Sequence, residues 1–366
     1  MKKTLIMLLL LASGLVQAKT VTDILQRQVT VPDNPQRIVL GEGRLLYTLA
    51  LVEKGNPLAR VAGWPDDLQR YDRQTWERYT AAFPAIKKIP LIGGANPGQF
   101  SVEKIIALHP DLVILPVYAR KPTTQDNVLA QLSAARIPVI YVDTRVEQLK
   151  NTVPSLQILG EALNDGQKAQ RFIAFYQQHM NLVHDRLRQA NPPRPSVMLQ
   201  LHIGRRDVCC TTVGRGNLAD LLDWAGGRNI AAGKFSGVFG QLSPEAVLAA
   251  NPDVFLATGM SGPQQPDRLQ LGPQVKPEAA QKSFDRALAG ESVISQLAAV
   301  RNGRTLAIWH NFYLSPWHLL TVEMIAKTLH PRLFHDLNPA ETLREMNREF
   351  LPLPETGTYW TTGDKR

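Results

Sequence analysis

At 366 residues, 44% of them hydrophobic, the chain is long enough to fill two ordinary cores, at roughly 100 to 200 residues per domain. Its 41 Lys and Arg against 32 Asp and Glu give a formal net charge of +9 and a pI near 9.6. A basic surface suits nucleic acid, anionic lipid or an anionic small ligand, but no basic run is dense enough to read as a nucleic-acid-binding tail or arm.

The first residues have the three-part layout of a secretory signal: Lys2 and Lys3, an apolar run over 5–12, then small residues ending at Ala18. Cleavage is expected after Ala18, with the mature chain starting at Lys19. The apolar run falls short of the roughly 20 residues that span a bilayer, and no comparable stretch follows. No cysteine stands beside the cleavage site to take a lipid, so the expected product is free in a Gram-negative periplasm. Export also argues against a nucleic-acid partner. Removing two lysines leaves the mature chain basic, which favours an anionic ligand.

In chain order, 37–40 reads as a strand and 45–52 as a helix. Residues 101–115, SVEKIIALHPDLVIL, then align without a gap to 243–257, SPEAVLAANPDVFLA. A repeat this far apart is a duplicated domain, not a solenoid. In each copy a serine (Ser101, Ser243) caps a helix, a glutamate (Glu103, Glu245) sits in its positive first turn, and a proline (Pro110, Pro252) disfavours helix in the residue before it. An apolar run follows, as a buried parallel strand requires. Further strands are expected at 138–142, 196–201 and 305–309, and a further helix at 218–224.

Between the copies, residues 165–190 carry Ala169, Phe172, Ile173, Tyr176, Met180, Val183 and Leu187 at helical spacing until NPPRP stops the run. The fold class is therefore α/β: two lobes, each with a mainly parallel sheet flanked by helices, joined by one long α-helix. The expected divisions are a signal peptide at 1–18, an N-terminal lobe at 19–164, the connecting helix at 165–190 and a C-terminal lobe at 191–366. A stiff connector of this kind implies small lobe movements on ligand capture.

Cys209 and Cys210 are the only cysteines. Sequence neighbours rarely reach the roughly 4.4 to 6.8 Å Cα spacing of relaxed disulfides, so two half-buried free thiols on a strand are expected. Gly41-x-Gly43 and Gly214-x-Gly216-x-x-Ala219 read as turns into helix starts rather than dinucleotide fingerprints. Neither a G-x-S-x-G elbow nor an H-E-x-x-H helix occurs, and the eight histidines are scattered, so neither catalytic residues nor a resident metal or cofactor is expected and a periplasmic hydrolase is disfavoured.

VTVPDNPQRIVL (29–40), the two repeat copies, LLDWAGGRNIA (221–231) and NGRTLAIWHNFYLSPWHLLTVEMIAKTLHPRLF (302–334) together resemble the periplasmic binding proteins of iron-siderophore, haem and cobalamin ABC importers. The resemblance spans most of the chain beyond the signal. It implies two lobes joined by one long helix, ligand between them, and a monomer that delivers its cargo to an inner-membrane permease dimer with its ATPase. It also implies that Glu103 and Glu245 dock into arginine-bearing pockets of that permease, one acid per subunit of a twofold partner.

Ligands of open α/β sheets collect past the carboxyl ends of strands. On that rule the candidates are Gly43, Arg44, Trp64, Tyr118 and Arg120 in the first lobe. In the second they are His202, Arg205, Arg206, Phe239, Gln241, His310 and Tyr313. Forked arginine donors and aromatic faces suit an anionic aryl iron chelate. His202 and His310 are read as hydrogen bonders rather than metal ligands. The expected cargo is a ferric siderophore, an Fe(III) complex, with haem, cobalamin and an oxyanion such as molybdate as alternatives.

Overall fold

The computed structural model describes residues 17–53, 55–94, 101–121, 127–204, 209–262 and 268–363. The expected signal up to residue 16, and the candidates Arg205 and Arg206, lie outside the described residues. Gln17 and Ala18 extend an N-terminal hairpin of β1 (Ala18–Thr22) and β2 (Gln28–Pro32), in which Ala18 pairs with Pro32.

The first sheet holds β3 (Ile38–Leu40), β4 (Val61–Gly63), β5 (Leu112–Pro116) and β6 (Val139–Val142) in the order β4-β3-β5-β6, all parallel. Its side chains alternate strictly. Ile38, Leu40, Leu112, Ile114, Ile140 and Val142 face the main core, while Val39, Val113, Leu115, Val139 and Tyr141 face a smaller core with Ile105 and Leu132. Period-two alternation with both faces apolar is why these strands read as unbroken hydrophobic runs.

Strands of the second lobe are β7 (Ser196–Gln200), β8 (Thr211–Val213), β9 (Arg228–Asn229), β10 (Phe239–Gln241), β11 (Val254–Gly259), β12 (Gly272–Pro273), β13 (Thr305–Trp309), β14 (Gly357–Thr358) and β15 (Trp360–Thr362). Five form a sheet ordered β15-β13-β11-β7-β9, parallel except for β15; β8 pairs with β10 and β12 with β14.

Both repeat copies fold as helix, turn and strand. Ser101 Oγ accepts from the Lys104 amide and Ser243 Oγ from the Ala246 amide, each at 3.2 Å, capping helices Val102–Ala107 and Pro244–Ala250. Each copy then supplies a central strand, β5 or β11. The aspartate of the Pro-Asp pair pins the neighbouring strand in both. Asp111 accepts from the amides of Gln36 (2.7 Å) and Arg37 (2.9 Å) before β3, and Asp253 accepts from the Ser196 amide (2.7 Å) at the start of β7.

Helix Gly166–Ala190 stands between the lobes, on the order of 38 Å long at 1.5 Å per residue. Ala169, Phe172, Ile173, Tyr176, Met180 and Val183 are buried on its inner face. It packs against helix Gln148–Ala162 of the first lobe and helix His318–Leu329 of the second. Among the described residues no helix is long and apolar enough to cross a membrane.

The expectation of two free thiols is overturned. Cys209 and Cys210 are joined as a disulfide across a cis peptide bond, with their Cα atoms 3.1 Å apart. That expectation took the short Cα spacing of sequence neighbours to bar a bridge; here the two are bridged at a spacing below the relaxed range. The pair lies in the turn before β8, not on a strand, with Cys210 buried and Cys209 half-buried.

Candidate ligand-binding cleft

Strand order reverses between β3 and β5 in the first sheet and between β7 and β11 in the second. Those reversals are where loops diverge and leave a crevice past the carboxyl ends of the strands. A cavity of about 890 Å³ lies there, lined from the first lobe by Arg70, Tyr71 and Arg73 and from the second by His202, Ser261 and Arg268. Gln74 and Ser261 are hydrogen bonded across it.

The first-lobe wall is built by two short helices, Asp67–Tyr71 and Arg73–Ala82. Asp72 links them, accepting from the Thr75 amide at 3.2 Å, and its buried carboxylate also takes the Tyr47 hydroxyl and, from the second lobe, Asn311 Nδ2 at 3.3 Å. This leaves Arg70 and Tyr71 exposed at the cleft. Arg73 is paired with Glu77 at 2.7 Å, both largely exposed. Asp66, half-buried on the same wall, has a buried Oδ1 without a hydrogen-bond partner among the described residues. Three arginines against one carboxylate make the lining positive.

The second-lobe wall rests on Thr258 at the end of β11. Its hydroxyl accepts from the His202 amide at 3.1 Å and meets His310 Nδ1 at 3.0 Å. The two imidazoles stack with centroids 3.7 Å apart, and the Tyr313 hydroxyl lies 2.9 Å from His310 Nε2. Burial, then the neighbouring His202, Arg44 and Arg145, push His310 well below the usual histidine range, so its ring is neutral.

Arg44 stands at the base of the cleft, but its fork is occupied. Its Nη2 lies 2.8 Å from Glu42 and its Nε 3.2 Å from Asp67, whose other oxygen accepts from the Gly43 amide at 2.6 Å. Burial, then Glu42, raises the Asp67 carboxyl to about 6. Arg145 reaches the same Glu42 oxygen at 3.2 Å and covers the Tyr118 ring at 4.9 Å. Only about 10 Å³ is open beside this group, at most room for one water. Arg44 and Tyr118 are thus held inside a charge network rather than presented to a large ligand.

Of the other sequence candidates, Trp64 is 1% exposed and packs on Trp76 at 5.7 Å, supporting the wall from beneath. Tyr313 is buried under His310. Gln241 is exposed and donates to the Cys209 carbonyl at 2.6 Å, and Phe239 is 54% exposed on β10. Arg120 is exposed past β5. His202 alone among the described candidates lines the large cavity. Sequence reasoning missed Arg70, Tyr71, Arg73, Ser261 and Arg268. The strand-end rule applied to the second repeat copy, past VFLATG, finds Ser261 as it found Tyr118 past the first.

Residues 44–308 match the family described as periplasmic binding protein. A molybdate-binding protein MolA of Haemophilus influenzae is 24% identical over 352 residues, covering 91% of this chain and 90% of that one. The structure of a TroA-like periplasmic binding protein FepB from Veillonella parvula is similar with a TM-score of 0.86 and 27% identity, over 94% of this chain and 99% of that one. A periplasmic haem-binding protein of Pseudomonas aeruginosa is more distant, with a TM-score of 0.56, 22% identity and coverage of 81% and 94%. The chain belongs to the periplasmic binding protein family.

Proposed function

We propose that this periplasmic binding protein serves an ABC importer, capturing an anionic ferric siderophore complex between its lobes and handing it to the membrane permease. The observation that carries the reading is the interlobe cavity of about 890 Å³ with Arg70, Arg73 and Arg268 on its walls. That volume lies within the roughly 300 to 1,000 Å³ of drug-sized ligand sites, and the exposed Arg70 offers paired donors to carboxylate or catecholate oxygen. Tyr71 and His202 add flat faces for ligand rings. Release into the periplasm after removal of residues 1–18, and delivery through Glu103 and Glu245, belong to the same proposal.

Molybdate is the second reading, favoured by the Haemophilus relative named for it. A bare oxyanion needs donors converging at close range, and the arginines placed for that, Arg44 and Arg145, are filled by Glu42 and Asp67. Tryptophan fluorescence titration with ferric catecholate, ferric hydroxamate, ferric citrate, haemin, cobalamin and molybdate separates the readings, since Trp64 and Trp76 back the cleft wall. Saturable binding of a ferric chelate supports the proposal. Failure of all three ferric chelates, with binding of any other compound, overturns it.

A further inference from the structure

The second lobe holds another cavity, of about 900 Å³, that the cargo-binding cleft does not explain. Gly303, Arg304 and Thr305 line it, so it opens at the amino-terminal end of β13, whereas the cleft lies past the carboxyl ends of the strands. The carboxyl end of helix His318–Leu329 and the segment 330–340 form its other side.

Its lining divides into two chemistries. Leu306, Met324, Leu333 and Trp360 give an apolar body, while Arg304, Lys327 and Arg332 give the charge; among the described residues no aspartate or glutamate lines it. Lys327 is engaged with the carbonyls of Leu337 and His335. Arg304 and Arg332 are exposed and form no ion pair with a described carboxylate. Thr305, the first residue of β13, is 1% exposed, and its buried hydroxyl has no hydrogen-bond partner among the described residues. A buried hydroxyl without a partner is costly unless something else satisfies it.

We propose that this cavity is a second ligand site, taking a small amphipathic anion with an acidic head on an apolar body. The head meets Arg304 and Arg332, and the body lies along Leu306, Met324 and Trp360. The site is independent of the cargo proposal, since it shares no lining residue with the cleft.

Calorimetric titration of the full chain with dodecanoate and with dodecyl phosphate, each below its micelle concentration, tests this and tells a carboxylate head from a phosphate one. One saturable site per chain is expected for at least one of them, with dodecanol binding about tenfold or more weakly. The double variant Arg304→Glu/Arg332→Glu and the filling variant Ala340→Trp should each weaken binding by about tenfold or more. Arg70→Glu, in the cleft, should leave it unchanged. Absence of saturable binding, equal binding of the neutral alcohol, or equal loss in Arg70→Glu overturns the proposal. Comparing anion with alcohol on the unmodified chain keeps the test decisive even if a variant fails to fold.

Discussion

Arg78 of the first lobe and Glu355 of the second form an ion pair at 2.7 Å, with side chains only 8% and 4% exposed. The Tyr359 hydroxyl also donates to Glu355, and Arg78 reaches the Pro354 carbonyl. With the Asp72–Asn311 contact and the Trp317 indole donating to the Tyr47 carbonyl at 3.3 Å, the lobes are tied below the cleft by buried polar groups as well as by the long helix. Such ties favour small lobe movements over free hinging. Truncating one partner of a buried pair strands the other, at about 3 to 5 kcal/mol. Arg78→Met should therefore lower unfolding free energy by about that much in urea titration, whereas the double variant Arg78→Met/Glu355→Gln, which leaves no unpaired charge, should recover most of it. Equal losses in both would show that the pair is not energetically coupled.

The equivalent aspartates of the repeat give a second prediction. Asp111 and Asp253 each hold the amides that precede or begin a neighbouring parallel strand, in separate sheets. Asp111→Ala and Asp253→Ala should each cost about 1.5 to 3 kcal/mol, the worth of hydrogen bonds to a charged group. Because they share no partner, the double variant should show the sum within about 0.5 kcal/mol. Strong non-additivity would mean that the two sheets are coupled through these anchors.

Much of this architecture was legible because its signals are local and periodic. The apolar runs at 112–116 and 254–259, the serine caps and the 3.6-residue stripe from Ala169 to Val183 carry their own geometry, and the strand expected at 305–309 coincides with β13. The cleft was less legible, because who lines it depends on which fork is already filled. Arg44 and Arg70 look alike in sequence. Only the fold brings Glu42 and Asp67 to the first and leaves the second exposed. The Cys209–Cys210 disulfide was not legible, because a bridge between sequence neighbours lies outside the Cα spacing of relaxed disulfides.

His318 should make stability depend on pH. It is fully buried; its Nδ1–H donates to the Ser315 carbonyl at 2.7 Å, so Nε2 is left to accept from the Tyr176 hydroxyl at 2.6 Å. Burial pushes its pKa down to about 4 from an ordinary 6.5. The unfolded chain therefore takes up this proton as pH falls below 6.5, while the native chain stays neutral until about 4. The contribution is complete above 6.5 and is lost through that window, at about 1.4 kcal/mol per pH unit. His318→Gln keeps an acceptor for Tyr176 without the titration. Urea unfolding at pH 7 and pH 5 should show a smaller loss in the variant; an unchanged difference would remove His318 as the cause. Glu53 acts in the opposite sense, since burial raises its carboxyl to about 7 from an ordinary 4.5, so its contribution is lost as pH rises from 4.5 through 7.

The occupied and open arginines of the cleft should separate affinity from stability. Arg70→Glu places a negative charge on an exposed wall, and should weaken binding of a ferric chelate by about tenfold or more while leaving the melting temperature in place. Arg44→Gln should do the reverse, destabilising by about 3 to 5 kcal/mol because Glu42 and Asp67 lose their shared cation. Thermal melts and fluorescence titrations on both variants check this. If Arg44→Gln weakens binding without a change in stability, the inner arginine is a direct ligand contact after all.

Glu103 and Glu245 are the remaining test. Both lie in the first turn of the repeat helices and are fully exposed, with carboxyls held below the ordinary range by hydrogen bonds from Ser101 in the first copy and from their own helix's backbone and Ser243 in the second. Neither is used in the core or in the cleft. Equivalent acids on equivalent lobes suit a twofold partner, each meeting one subunit. Glu103→Lys/Glu245→Lys should therefore abolish ligand-dependent stimulation of the permease ATPase in reconstituted vesicles while chelate affinity and melting temperature stay as in the unmodified chain. Loss of affinity would place these acids in ligand binding, and undiminished stimulation would remove them from docking.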